Sequence, residues 1–171
     1  MKDRLTIVKV GGKIVEEPDT LAALLRDFAS IDGFKLLVHG GGRSATKVAA
    51  SLGVETQMID GRRVTDAEML RVVTMVYGGL VNKNIVAGLQ GLGVDALGMT
   101  GADMNIIRSD RRPVKTVDYG FVGDIAEVDG KRLQQLTKEG ITPVICSIMH
   151  DGKGGLLNCN ADSVASAVAA G

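Results

Sequence analysis

The sequence predicts an α/β fold: a three-layer αβα sandwich around a mainly parallel central sheet, with a β-hairpin excursion from it. Three observations carry that reading. Apolar runs of strand length, such as residues 5–10 and 34–39, alternate with stretches whose apolar residues recur at helical spacing. Most of the 23 glycines fall at the ends of those runs, where turns are needed. Aromatic residues make up only 3% of the chain while Ala, Val and Leu abound, as in strands buried on both faces.

The first strand covers residues 5–10. Asp19 is placed to cap a helix over 20–30, in which Leu21, Leu24, Leu25 and Phe28 share one face. Gly33 ends that unit and a strand over 34–39 completes a βαβ crossover. Residues 44–52 read as a helix closed by Gly53. Residues 54–64 alternate around Asp60-Gly61 as a small hairpin. Thr65 with Glu68 matches a capping box and opens a long helix to about Leu89, in which Gly78-Gly79 predict a local break or a close helix contact. Met69, Val72, Val73 and Val76 give that helix more apolar length than one sheet face covers, which predicts a homodimer formed through helix 66–89. Residues 94–99 form a strand, 104–109 and 114–128 an antiparallel pair around Arg111-Arg112-Pro113, 130–138 a helix and 141–147 a core strand. A turn at 152–155 leads to a helix over 163–170 that runs to the chain end, so further sequence is expected beyond residue 171.

Composition excludes several classes. Twenty basic and 20 acidic side chains balance, and no basic run interleaves with aromatics, which argues against nucleic-acid binding. No uninterrupted apolar run of membrane length and no signal-peptide layout is seen, so the expected location is cytoplasmic. Two cysteines, Cys146 and Cys159, make no disulfide framework, and Cys146 lies in an apolar run as a buried thiol. His39 and His150 lack metal-ligand spacing, so no metal site is expected.

Two turns draw attention. In His39-Gly40-Gly41-Gly42-Arg43-Ser44 a strand breaks into three glycines and enters a helix, which turns unpaired N–H groups toward a carboxylate or phosphate. Upstream, Lys9-Val10-Gly11-Gly12 repeats the strand-to-glycine pattern with a lysine beside it. Gly40-x-Gly42-x-x-Ala45 also fits a dinucleotide fingerprint, but Asp60 sits in a turn and not at the end of the next strand. Lys47 lacks the flanking residues of a P-loop. Lys9 either snorkels to solvent or faces a bound phosphate. One of Arg62 and Arg63 has the position to fork onto a carboxylate. Among Asn158, Asn160 and Asp162 one caps the last helix, and three short polar groups exceed what a cap needs.

Together, Lys9-Val10-Gly11-Gly12, His39-Gly40-Gly41-Gly42, Gly61-Arg62-Arg63-Val64-Thr65 and Asn158-Cys159-Asn160-Ala161-Asp162 resemble the amino-acid kinase family, and within it the enzymes that phosphorylate N-acetylglutamate in arginine biosynthesis. The resemblance implies transfer of a phosphoryl group from ATP, with Mg2+, to the γ-carboxylate of N-acetyl-L-glutamate. It implies that Gly41 and Gly42 hold that carboxylate and that Arg63 and Asn158 grip the α-carboxylate. Lys9 with Gly11 and Gly12 would meet the phosphoryl group, and Asp162 would orient the lysine. Residues 1–171 would be the substrate-binding and dimerisation lobe, followed by a nucleotide-binding lobe carrying a second lysine. The loop Met99–Asn105 is looser than the family's usual Gly-Lys-Asp-Gly version. Arginine-inhibited members carry an extra N-terminal helix, and only Met1–Arg4 precede the first strand here, so a dimer insensitive to arginine is expected. The rival readings are a kinase for N-succinylglutamate, glutamate or aspartate, a Rossmann-type dehydrogenase, and a non-catalytic acylamino-acid sensor.

Overall fold

In the computed structural model, which describes residues 4–171, two four-stranded sheets and one two-stranded hairpin share one domain. The segment before the first strand, on which the expectation about arginine rests, lies largely outside the described residues. The first sheet is wholly parallel, in the order β1 (Leu5–Val10), β2 (Phe34–His39), β8 (Thr142–Cys146), β5 (Ala96–Met99). Its two faces bury different side chains because successive residues of a strand point to opposite sides. Leu37 and Val144 pack with Leu25, Phe28, Ala45 and Val72, whereas Leu36, Val38 and Ile145 pack with Leu133, Leu136 and Val164. Those partners come from α2 (Pro18–Ala29), α3 (Gly42–Ser51) and α4 (Ala67–Gln90) on one side, and α5 (Gly130–Lys138) and α6 (Ala161–Ala170) on the other. The expected three layers are present. A short α1 (Gly12–Glu16) follows β1.

The excursion is larger than a hairpin. It is a second sheet in the order β10 (Leu156–Asn158), β9 (Ile148–His150), β6 (Ile107–Arg111), β7 (Gly123–Val128). The β6–β7 pair is antiparallel, as the alternation predicted, but residues 112–122 form a long connection and not strand. That connection is used: Thr65 donates its backbone N–H to Tyr119, Phe121 returns one to Thr65, and Asn158 donates to Phe121. It ties the tight hairpin of β3 (Met58–Ile59) and β4 (Arg62–Arg63) to β10. Only Ser147 separates β8 from β9, so one nearly continuous stretch crosses from the parallel sheet into the second sheet there.

Helix ends differ from expectation where two capping groups compete. Glu17 and Pro18 open α2, so Asp19 lies in its first turn, where an acidic residue suits the helix dipole. Asp66 caps α4 by accepting from the Met69 N–H at 2.8 Å, while Thr65 is fully buried and donates its hydroxyl to the Arg63 carbonyl. Asn160 caps α6 through the Ser163 N–H, two residues earlier than predicted. Inside α4, residues Thr74–Val81 widen into a π-helix around Gly78-Gly79. This helix is long and apolar enough to cross a membrane by length and composition. However, Met69, Val72, Val73 and Val76 are all buried in the domain's own core, so this stripe is not the face offered to a second subunit. The apolar residues it turns outward are Met75 and Leu80, each 53% exposed.

Gly98 in β5 shows how closely α4 lies on the sheet. A Cβ there would collide with Asn82 Oδ1 and lie 2.7 Å from Lys83 Nζ. Gly98→Ala is expected to lower stability by about 1–3 kcal/mol, measured as a fall in urea midpoint at unchanged slope.

Candidate active site

Parallel pairing sets the site. Lys9 pairs with Val38 and Val10 with His39, while His39 pairs with Cys146, so the carboxyl ends of β1, β2 and β8 open side by side. Ligands of open α/β sheets bind at such an edge. Both glycine turns emerge there and meet: a Cβ on Gly12 would lie 3.9 Å from the Gly42 nitrogen. They line a cavity of about 210 Å³ together with Lys9, Arg62, Arg63, Tyr77, Ser147 and Asn158.

Each predicted residue has a definite place. Gly41 is the N-cap of α3 at φ 150°, with Tyr77 and Val81 so close that a Cβ would approach both at 3.0–3.1 Å. Only glycine fits that conformation and that gap. Arg63 is 8% exposed and its guanidinium donates to the Gly42 carbonyl at 2.8 Å, Thr46 Oγ1 at 3.0 Å and Thr56 Oγ1 at 3.4 Å. It is therefore a braced fork beside the glycine turn. Asn158 donates its side-chain amide to Thr65 Oγ1 at 3.2 Å, which fixes its orientation at the cavity. Lys9 Nζ sits 3.0 Å from Asp162 Oδ1, and a Cβ on Gly11 would be 3.7 Å from that ammonium. The three polar residues near 160 thus divide their work: Asn158 faces the cavity, Asn160 caps α6, and Asp162 holds Lys9.

The ledger of charge is one-sided. Lys9, Arg62 and Arg63 line the cavity, and among the described residues no carboxylate does. Such a site binds a small polyanion and neutralises negative charge that develops within it.

Residues 4–171 match the amino acid kinase family. The chain belongs to that family. It is similar to curated acetylglutamate kinases of Phocaeicola vulgatus and Bacteroides thetaiotaomicron, at 66% and 65% identity over 169 residues. The one of Methanopyrus kandleri is 37% identical over 169 residues, covering 96% of this chain. The chain spans 66% of the length of each of these three relatives. Among solved structures, a Streptococcus mutans protein is 26% identical with a TM-score of 0.81, over 99% of this chain and 68% of that one. The N-acetylglutamate synthase of Neisseria gonorrhoeae superposes at a TM-score of 0.81 over 98% of this chain and 40% of its own, and at 23% identity it shows the fold alone.

In this amino acid kinase chain two lining residues belong to none of the sequence motifs, and a third residue, within a motif, had no role assigned to it. Tyr77 and Ser147 line the cavity from sequence positions far from any motif, and His39 supports it from below. Burial pushes the Tyr77 phenol up, an effect the neighbouring Arg63 guanidinium partly offsets. Nδ1 of the fully buried His39 lies 2.8 Å from the Gly40 carbonyl, which can only accept, so Nδ1 carries the proton. Nε2 then accepts from the Asn82 amide at 3.0 Å, and the same amide donates to the Val144 carbonyl. The one available signal was His39 itself, a polar residue closing an apolar strand.

Desolvation holds His39 neutral, with its pKa lowered to about 4. Because the unfolded chain binds this proton near pH 6.5, the histidine contributes stability above that value and loses it as pH falls toward 4. From pH 7 to pH 5 the contribution is expected to shrink by about 2 kcal/mol, read as the difference in urea unfolding between the native chain and His39→Asn. The thiols of Cys146 and Cys159 are both raised to about 11 by burial and both are free. They are no nucleophiles at neutral pH. Among the described residues no group of three or more His, Cys, Asp or Glu is arranged to hold a metal ion.

Proposed function

We propose that this chain supplies the substrate-binding lobe of a cytoplasmic, ATP-dependent acylglutamate kinase that phosphorylates the γ-carboxylate of N-acetyl-L-glutamate in arginine biosynthesis. The observation that carries the reading is the convergence of two glycine turns, Lys9, Arg63 and Asn158 on one cavity with no lining carboxylate among the described residues. The names of the relatives point the same way.

The chemistry follows from the placement. A γ-carboxylate oxygen attacks the γ-phosphorus of ATP, the bond from that phosphorus to the bridging oxygen breaks, and ADP leaves with the electron pair. The carboxylate is already ionised, so no general base is required. Gly41 and Gly42 present backbone N–H groups to the attacking carboxylate at the start of α3. Arg63 and Asn158 receive the α-carboxylate. Lys9, steadied by Asp162 and flanked by Gly11 and Gly12, faces the charge that spreads over the phosphoryl oxygens in transit. Mg2+ enters with ATP as part of that substrate. The nucleotide is held by the portion of the relatives that lies outside this chain. Membership of the kinase family leaves the dehydrogenase alternative without support.

A homodimer through helix 66–89 is part of this reading, now on different residues. Met75 and Leu80 face outward, and β5 is an edge strand whose Leu97 is 38% exposed. An apolar helix face beside an unpaired edge suits a twofold partner.

The deciding experiment is hydroxylamine trapping with the complete enzyme, ATP and N-acetylglutamate. Acyl hydroxamate with matching ADP release supports the reading, and ligand binding without ADP release would make the protein a sensor.

A further inference from the structure

Among the described residues Arg62 is the one cation of the cavity with no assigned task. Lys9 is paired with Asp162, and Arg63 is braced by Gly42, Thr46 and Thr56. The guanidinium of Arg62 donates no hydrogen bond and lies within 4.0 Å of no carboxylate among the described residues. It is half-buried in β4 and lines the cavity beside the apolar side chains of Met58, Val122 and Cys159. Its charge is near enough to act on the Cys159 thiol. Partial burial of an arginine without a counter-ion is unfavourable, and a ligand anion would relieve it.

N-acetylglutamate offers two carboxylates, and the proposed function uses both, at the glycine turns and at Arg63. Arg62 is left over, with apolar side chains beside it. We infer that Arg62 binds a third carboxylate, so that the site accepts, besides acetyl, an acyl group that is a dicarboxylic half-amide such as succinyl. Its methylenes lie along Met58, Val122 and Cys159, and its terminal carboxylate meets the Arg62 guanidinium in a charge-assisted fork. The inference rests on the acylglutamate reading above and extends it to a further substrate class.

Three ligands separate charge from size: N-succinylglutamate, N-acetylglutamate and the carboxamide of the succinyl compound, which has the same shape without the charge. Calorimetric titration of the complete enzyme should show the succinyl ligand binding about tenfold or more tighter than its carboxamide. In Arg62→Leu the ratio of those two affinities should fall to near one, and Arg62→Lys should keep part of it. Both ligands are measured on the same variant, so a general loss of folded protein leaves the ratio intact. A carboxamide that binds as tightly as the carboxylate, or a ratio that survives Arg62→Leu, overturns the inference. Binding of N-acetylglutamate with hydroxamate formation but no Arg62-dependent preference overturns this inference alone. If none of the three binds and no hydroxamate forms, the acylglutamate reading falls with it.

Discussion

Lys9→Ala in the complete enzyme should lower kcat by about 10²–10³ while leaving acylglutamate affinity nearly unchanged, because one donor facing developing charge in a shielded site is worth that much. The ground state has little use for this ammonium. Its nearest protein partner is Asp162 at 3.0 Å, on a side chain 73% exposed, and such an exposed pair contributes little to stability. Lys9→Ala should therefore fold normally, with a urea midpoint close to that of the native protein. A lysine that merely snorkels from the end of β1 predicts no kinetic change. Single-turnover rates distinguish the two, since a defect in the chemical step appears there directly. An unchanged single-turnover rate would remove Lys9 from the catalytic group.

Arg63→Ala should have the opposite signature: acylglutamate binding weakened by two orders of magnitude or about that, and ATP binding little affected. Two contributions add. The α-carboxylate loses its fork, and the Gly42 carbonyl and the Thr46 hydroxyl lose the donor that braces the turn. Arg63→Lys separates them, because an ammonium restores charge but cannot span Gly42, Thr46 and Thr56 at once. It should recover only part of the affinity. Equal substrate KM in Arg63→Ala and the native enzyme would show that the α-carboxylate binds elsewhere.

Much of the fold was legible because local signals agreed. β2 and the helix over 130–138 begin and end where predicted, and each is bounded by a glycine in the left-handed region, Gly33 and Gly140. The glycine turns, Arg63 and Asn158, candidates in the sequence, come together on one cavity. What failed depended on distant contacts. Thr65 looked like a cap, but the segment at 119–121 claims its backbone and Asn158 its hydroxyl. The Met69–Val76 stripe looked surplus to one sheet face, but α3 and strands β9 and β10 pack on it as well. Tyr77 and Ser147 gave no local sign, because the parallel register and the packing of α4 bring them to Gly40–Gly42 from far along the chain.

The π-segment changes the rhythm of α4. In an α-helix a residue aligns with its neighbours three and four positions on, so Tyr77 and Asn82, five apart, would face different ways. The wider i→i+5 repeat brings them into line. One helix thus grips the same glycine turn at two levels: Tyr77 packs on Gly41 from the cavity side, and Asn82 reaches beneath it to His39. A single-residue deletion that restored a regular helix would improve its hydrogen bonding and still uncouple these two grips. The length of this helix is therefore matched to the turn it touches as well as to its own stability.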